Sequence, residues 1–105
     1  MGLAAEFENL EHLTSQLVGL LLEVDETFWH KYLERAIPKL KRYELAGATY
    51  ILGCFSGEGS FSDLTIAKRA DNADPLQQIN LSARLNQLRT AVFKSAKRIA
   101  SRQLW

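Results

Sequence analysis

The residues best suited to chemistry in this chain lie in one short stretch, CFSGEGSFSDL, at positions 54–64. A nucleophilic site would need Cys54 beside His30, or Ser60 beside His30 and Asp63, and nothing in the spacing brings these residues together. The serine follows both glycines, whereas a nucleophile elbow places its serine between two glycines. A phosphate-binding loop of the Walker type would need a lysine after its second glycine, and this stretch has none. We therefore predict that the protein is not an enzyme.

A structural role for the stretch, as a tight turn followed by a cap, is the interpretation that we favour. Gly57 and Gly59 permit positive φ angles, and Ser60 with Asp63 could cap a segment that begins near Phe61. Two binding roles stay open: the loop amides could bind an anion, or the loop could contact a protein partner. The candidate binding residues are Phe55, Gly57, Glu58, Gly59, Ser60, Phe61 and Asp63.

Burial is expected to vary along this loop. Phe61 and Leu64 should anchor it to the core, because apolar side chains gain from burial. Glu58, between the two glycines, should stay exposed at the tip.

Neither a metal nor a cofactor is predicted. The two histidines, His12 and His30, do not stand at metal-ligand spacing with Cys54, the one cysteine. His12 and His30 are both expected on solvent-facing sides of their helices, and Cys54 is expected to be a small buried apolar residue.

Charge is distributed unevenly along a chain whose net charge is +1. Residues 1–30 carry six acids and no Lys or Arg, whereas residues 76–105 carry six basic residues and no acid. We favour the interpretation that the acidic start packs against the basic end; two faces for different partners are the alternative. Nucleic acid is the less favoured partner, and its candidate surface is a basic face of Arg84, Lys94, Lys97, Arg98 and Arg102.

The hydrophobic pattern predicts an all-α fold, a compact bundle of about four helices in one domain spanning residues 1–105. The helices are expected at residues 3–23, at 28–43 with a kink at Pro38, in a short buried segment after a break or bend at Gly47, and at 76–102. Asp25 is expected to cap the second helix. Its aromatic residues Phe28, Trp29, Tyr32 and Tyr43 are expected in the core.

The chain has no apolar run long enough to cross a membrane and no signal-peptide pattern at its start. We therefore expect a soluble cytoplasmic protein without membrane contact.

The segment FSGEGSFSDL resembles FGGMGSFNDL, the signature of a family of small bacterial proteins of unknown function. Ser56, Glu58 and Ser62 differ from it, and RLNQLRTAVFKSAK at residues 84–97 is similar to the closing helix of that family, which carries Asn, Leu and Arg. The resemblance implies no established chemistry. Small orphan bacterial domains of this kind are often encoded beside toxins, so the resemblance implies an immunity-type role by analogy.

The expected function is therefore that of a non-enzymatic protein-interaction domain, of the immunity type, that binds and neutralises a toxin partner. Its contact surface would be the 55–64 loop with the adjoining charged helix faces. The alternative is a nucleic-acid-associated regulator that uses the basic face. A homodimer is also left open.

Overall fold

Five α-helices make up most of the described part of the protein, which in this computed structural model comprises residues 2–55, 61, 64 and 75–103. The helices are α1 (Leu3–Glu23), α2 (Thr27–Glu34), α3 (Ile37–Lys41), α4 (Leu45–Gly53) and α5 (Pro75–Gln103). These ranges contain no strand. The expected all-α bundle is thereby confirmed.

The two longest helices, α1 and α5, pack against each other in opposite directions. Glu6 near the start of α1 lies 2.9 Å from Arg102 near the end of α5, a close ion pair whose atoms are not aligned as a hydrogen bond. At the opposite end of α1, Glu23 lies 3.8 Å from Arg84. The acidic start of the chain therefore does pack against its basic end, as the charge distribution predicted.

The core lies between these helices and the shorter ones. Its fully buried side chains recur on α1 at the predicted three- and four-residue steps, and Leu33, Leu40, Ile51 and Val92 meet them from the other four helices. Thr14, in the middle of α1, is also fully buried, and its hydroxyl has no hydrogen-bond partner among the described residues.

Asp25 ends α1 instead of starting α2, so the prediction that it caps α2 was wrong. Its φ of 59° is left-handed. Its amide donates to the carbonyl of Leu22 at 3.1 Å, and the amide of Glu26 donates to the carbonyl of Leu21 at 2.8 Å. This pair of bonds is a Schellman motif, which satisfies the last carbonyls of a helix and turns the chain.

Tyr43 makes the same kind of turn at the end of α3, with a φ of 56°. A left-handed conformation is rare for a bulky residue and costs on the order of 1 kcal/mol or more. The ring of Tyr43 compensates by packing edge-on against Phe7, with 5.9 Å between the ring centres. Its hydroxyl also donates to Glu8 at 3.4 Å. The side chain is nevertheless half-exposed, so the prediction that Tyr43 lies in the core was wrong.

The prediction of one kinked helix across Pro38 was also wrong, because α2 ends at Glu34 and α3 begins at Ile37. Arg35 and Ala36, between the two helices, keep right-handed dihedral angles. Ala36 donates its amide to the carbonyl of Leu33 at 3.0 Å, a tighter bond than an α-helix makes. Pro38 has no amide hydrogen to donate to the carbonyl of Glu34, so the helical hydrogen-bond pattern is interrupted at this point.

Gly47 does not break the chain, contrary to prediction, but lies buried in the first turn of α4. A Cβ atom at this position would stand 2.8 Å from a terminal carbon of Leu40 and 3.1 Å from the Cβ of Lys39. Glycine is therefore needed here because α3 and α4 approach each other closely. The turn itself comes earlier, at Tyr43.

Two glycine-to-alanine substitutions are predicted to change stability in opposite directions. Gly19→Ala should raise the free energy of unfolding by about 1 kcal/mol, because Gly19 is exposed inside α1 and its Cβ would meet nothing within 4 Å. Gly47→Ala should lower it by about 1 kcal/mol, since overpacking against the buried Leu40 outweighs the gain in helix propensity. Urea denaturation of both variants beside the wild type measures this. A stabilised Gly47→Ala variant would show that α3 and α4 are not in close contact.

Candidate functional site

Phe61 is fully buried and fastens the segment between α4 and α5 to the core. Its amide donates to the carbonyl of Cys54 at 2.8 Å, just beyond the end of α4. Its ring lies against Trp29 and Phe55, with ring centres 5.2 and 5.6 Å apart. The predicted anchoring role of Phe61 is thereby confirmed, and its side chain offers no surface to a partner.

Arg89 of α5 holds the same segment from the other side. One guanidinium nitrogen, Nη1, donates to the carbonyls of Phe61 at 3.0 Å and Leu64 at 2.7 Å. The other, Nη2, donates to the side-chain oxygen of Asn86, one helical turn earlier. The guanidinium carbon also lies 5.8 Å from the centre of the Phe61 ring, within cation–π range. Asn86 thus orients the arginine, and the arginine binds the backbone of the segment.

Sequence reasoning missed Arg89. The available signal was its place in the segment RLNQLRTAVFKSAK, three residues after an asparagine, where side chains share a helix face.

Aromatic contacts continue from Phe61 in two directions. On one side Trp29 touches Phe28 and Tyr32, and Tyr32 stacks on Tyr50 with 4.3 Å between the ring centres. On the other side Phe55 contacts Phe93 of α5 at 5.0 Å. The anchor therefore links α2, α4 and α5 through ring contacts.

Phe55, a predicted loop residue, lies half-buried at the edge of an open groove. The groove has a volume of about 260 Å³ and is lined by Phe55, Arg89, Thr90 and Phe93. Its lining is mostly apolar, with the guanidinium of Arg89 at one side. Five other predicted loop residues, Gly57, Glu58, Gly59, Ser60 and Asp63, lie outside the described residues, and the roles assigned to them stay predictions.

Cys54 is buried as predicted, and desolvation raises the pKa of its thiol to about 12. Such a thiol is protonated at neutral pH and is a poor nucleophile. His12 is exposed as expected, whereas His30 is not: its ring is largely buried, with Nδ1 3.2 Å from the carbonyl of Val18 and Nε2 3.4 Å from Glu34. Within the described ranges, no three His, Cys, Asp or Glu side chains are grouped as metal ligands.

The predicted basic face is exposed along α5, but part of it is engaged by other side chains of the same molecule. Arg84 and Arg102 pair with Glu23 and Glu6 of α1, as described above. Lys97 lies 5.5 Å from the centre of the Phe93 ring. Lys94 and Arg98 are exposed as well. No helix among the described residues is long and apolar enough to span a membrane.

The fold and the site together define a small all-α domain in which a glycine-containing segment is fastened to a long closing helix. The sequence model of a family described as a domain of unknown function, DUF6966, matches residues 22–75. This match covers half of the chain, and the protein belongs to the DUF6966 family. The match runs from the last turn of α1 to the first residue of α5, so it contains the Phe61 anchor but not Arg89. The expectation of a family of unknown function is thereby confirmed, while the motif and the bacterial family assigned to it stay predictions.

A search of curated proteins and a search of solved structures each found no match to the chain.

Replacing Arg89 by alanine is predicted to lower the free energy of unfolding by about 2–4 kcal/mol. The carbonyls of Phe61 and Leu64 would lose a charged donor in a partly buried site, which costs more than the loss of a neutral hydrogen bond. The matched control is Arg84→Ala, which removes a half-exposed arginine 3.8 Å from its acid and should change stability by less than about 1 kcal/mol. If urea denaturation showed the same loss of unfolding free energy in both variants, the role of Arg89 in holding the carbonyls of Phe61 and Leu64 would be contradicted.

Proposed function

We propose that the protein is a non-enzymatic protein-interaction domain of the immunity type, which binds and neutralises a toxin partner in the cytoplasm. The observation that carries the proposal is a set of large apolar side chains left exposed at one end of the bundle. Leu22, Phe28, Leu76 and Ile79 are each 61–68% exposed. We call these four residues the apolar end.

The four residues lie on parts of α1, α2 and α5 that the antiparallel packing of α1 against α5 places at the same end of the bundle. Leu22 is in the last turn of α1, and Phe28 opens α2 directly after the turn at Asp25. The ion pair of Glu23 with Arg84 places the end of α1 beside the early part of α5, where Leu76 and Ile79 lie. None of residues 75–84 is buried, and residues 75–83 carry no charge. Large apolar side chains that stay exposed at one end of a domain favour a protein-binding role for that end.

The loop at residues 55–64 stays part of this proposal, with one change. Phe61 is buried and serves as the anchor, so contacts to a partner would come from the neighbouring residues of the loop and from Phe55. The immunity-type role rests on the resemblance described above and on the apolar end.

The alternative, a nucleic-acid-associated regulator, stays a prediction. The pairing of Arg84 and Arg102 with acids of α1 reduces the charge that the basic face can offer to phosphates.

The test is co-expression of the protein with the products of its neighbouring genes. The protein should relieve growth inhibition by one of these products and co-purify with it. The double substitution Leu22→Ser with Ile79→Ser should abolish both effects without lowering the melting temperature, because both side chains are exposed. The control, Gln16→Ser with Arg98→Ser, changes two exposed residues outside the apolar end and should retain both effects.

Two results would overturn parts of this proposal separately. Failure to relieve inhibition by any neighbouring product would remove the immunity-type role. Co-purification that survives the Leu22→Ser and Ile79→Ser change would show that the apolar end is not the contact surface.

A further inference from the structure

A shallow cleft on the outer face of α2 combines exposed aromatic surface with two positive charges. It has a volume of about 130 Å³ and is lined by Phe28, Lys31, Tyr32 and Arg35. The spacing of these residues, at steps of three and four, places them on one side of the helix. We call this feature the α2 cleft.

The two cations of the α2 cleft have no ion pair within the described part of the chain. Lys31 and Arg35 are both exposed, whereas Arg42, a few residues later, lies 2.8 Å from Glu44. The nearest acid on α2, Glu34, lies on a different side of the helix, with its carboxylate 3.4 Å from the ring of His30. The positive charge of the cleft is therefore not cancelled by its own helix.

The rings of the cleft are held in position by the residues beneath them. Phe28 is 68% exposed, and its ring rests edge-on against Trp29 with 4.8 Å between the ring centres. The hydroxyl of Tyr32 donates to the carbonyl of Tyr50 on α4 at 2.8 Å. Rings that already make such contacts lose less conformational entropy on binding than rings without contacts, which favours recognition.

We propose that the α2 cleft is the docking site for an acidic segment of the protein partner, with carboxylates against Lys31 and Arg35 and an apolar side chain on Phe28. The inference rests on the proposed function and adds the chemistry of the partner. Charge complementarity is its basis, since two unpaired cations beside an exposed ring match a segment that carries both acids and an apolar residue. Arginine in particular can bind a carboxylate through two parallel hydrogen bonds.

An acidic protein segment fits the cleft better than nucleic acid does. Binding to a phosphate backbone relies on many cations along an extended surface. The cleft offers two, and the acids Glu26 and Glu34 are close to it in the sequence, which lowers the net positive charge of this stretch. One short acidic segment would use both cations and the ring at once.

The test uses short random peptides displayed on phage and selected against the purified, full-length protein. The selected peptides should be rich in Asp and Glu and should contain an aromatic or aliphatic residue. The best of them is then synthesised with a fluorescent label, and its affinity is measured by anisotropy. Lys31→Glu with Arg35→Glu should weaken binding about tenfold or more, because attraction is replaced by repulsion.

The matched control is Lys94→Glu with Arg98→Glu, which makes the same change in net charge at two exposed cations of α5. Its affinity should stay within about twofold of the wild type. Phe28→Ala should also weaken binding while the melting temperature stays unchanged, since the ring is mostly exposed.

Each other outcome contradicts the inference. Selection of basic or uncharged peptides, or of no peptides, would exclude the acidic segment. An equal loss of peptide affinity in both charge-reversed variants would show that the net charge of the protein, and not the α2 cleft, determines binding. Tighter binding to a thymidine oligonucleotide than to the best peptide, lost in Lys31→Glu with Arg35→Glu, would assign the cleft to nucleic acid. Because the co-expression test uses the partner itself, the proposed function can stand even if this cleft is not its docking site.

Discussion

The contact between Phe61 and Arg89 ties the chain that follows α4 to the side of α5. Burying the ring of Phe61 contributes on the order of 2–3 kcal/mol. With the ring buried, the backbone carbonyls of Phe61 and Leu64 are partly buried as well, and they need a hydrogen-bond donor. Arg89 supplies it from α5, and Asn86 orients the arginine. One ring and one guanidinium thus hold the chain at Phe61 and Leu64 against the bundle.

This arrangement separates the buried Phe61 from the exposed surfaces of the domain. Phe61 belongs to the core, and the rings around it connect α2, α4 and α5. Four large exposed apolar side chains, those of the apolar end, lie elsewhere, where α1 finishes and α2 and α5 begin. Phe28 belongs both to this apolar end and to the α2 cleft. A partner that covered the apolar end would therefore also reach the cations of the cleft.

Features that depend on local pattern could be predicted from the sequence. The bounds of α1 agree with prediction because its apolar residues recur regularly over more than five turns. The pairing of the acidic start with the basic end followed from the charge distribution. Burial of Phe61 and Cys54 followed from their apolar character in a turn region.

Features that depend on tertiary contacts could not be predicted. A glycine that breaks a helix and a glycine that admits a neighbouring helix look alike in sequence, and only the distance from Gly47 to Leu40 distinguishes them. The apolar residues of segment 28–43 keep helical spacing across Pro38, and α3 is only five residues long, too short to show a separate periodicity of its own. Phe28 fits the apolar side of α2 by spacing, yet its side chain is mostly exposed. Arg89 looks like any cation of a basic helix until the carbonyls that it binds are located.

The most direct test of the account is hydrogen exchange at the amide of Phe61, which donates to Cys54 at 2.8 Å. If the segment is fastened into the core, this amide should exchange only when the whole protein unfolds. Its opening free energy, and the dependence of that energy on urea, should then match those of the buried Leu17 on α1 within about 1 kcal/mol. Exchange at a rate within about tenfold of an unstructured peptide would contradict the account, because it would show that Phe61 leaves the core without unfolding the protein.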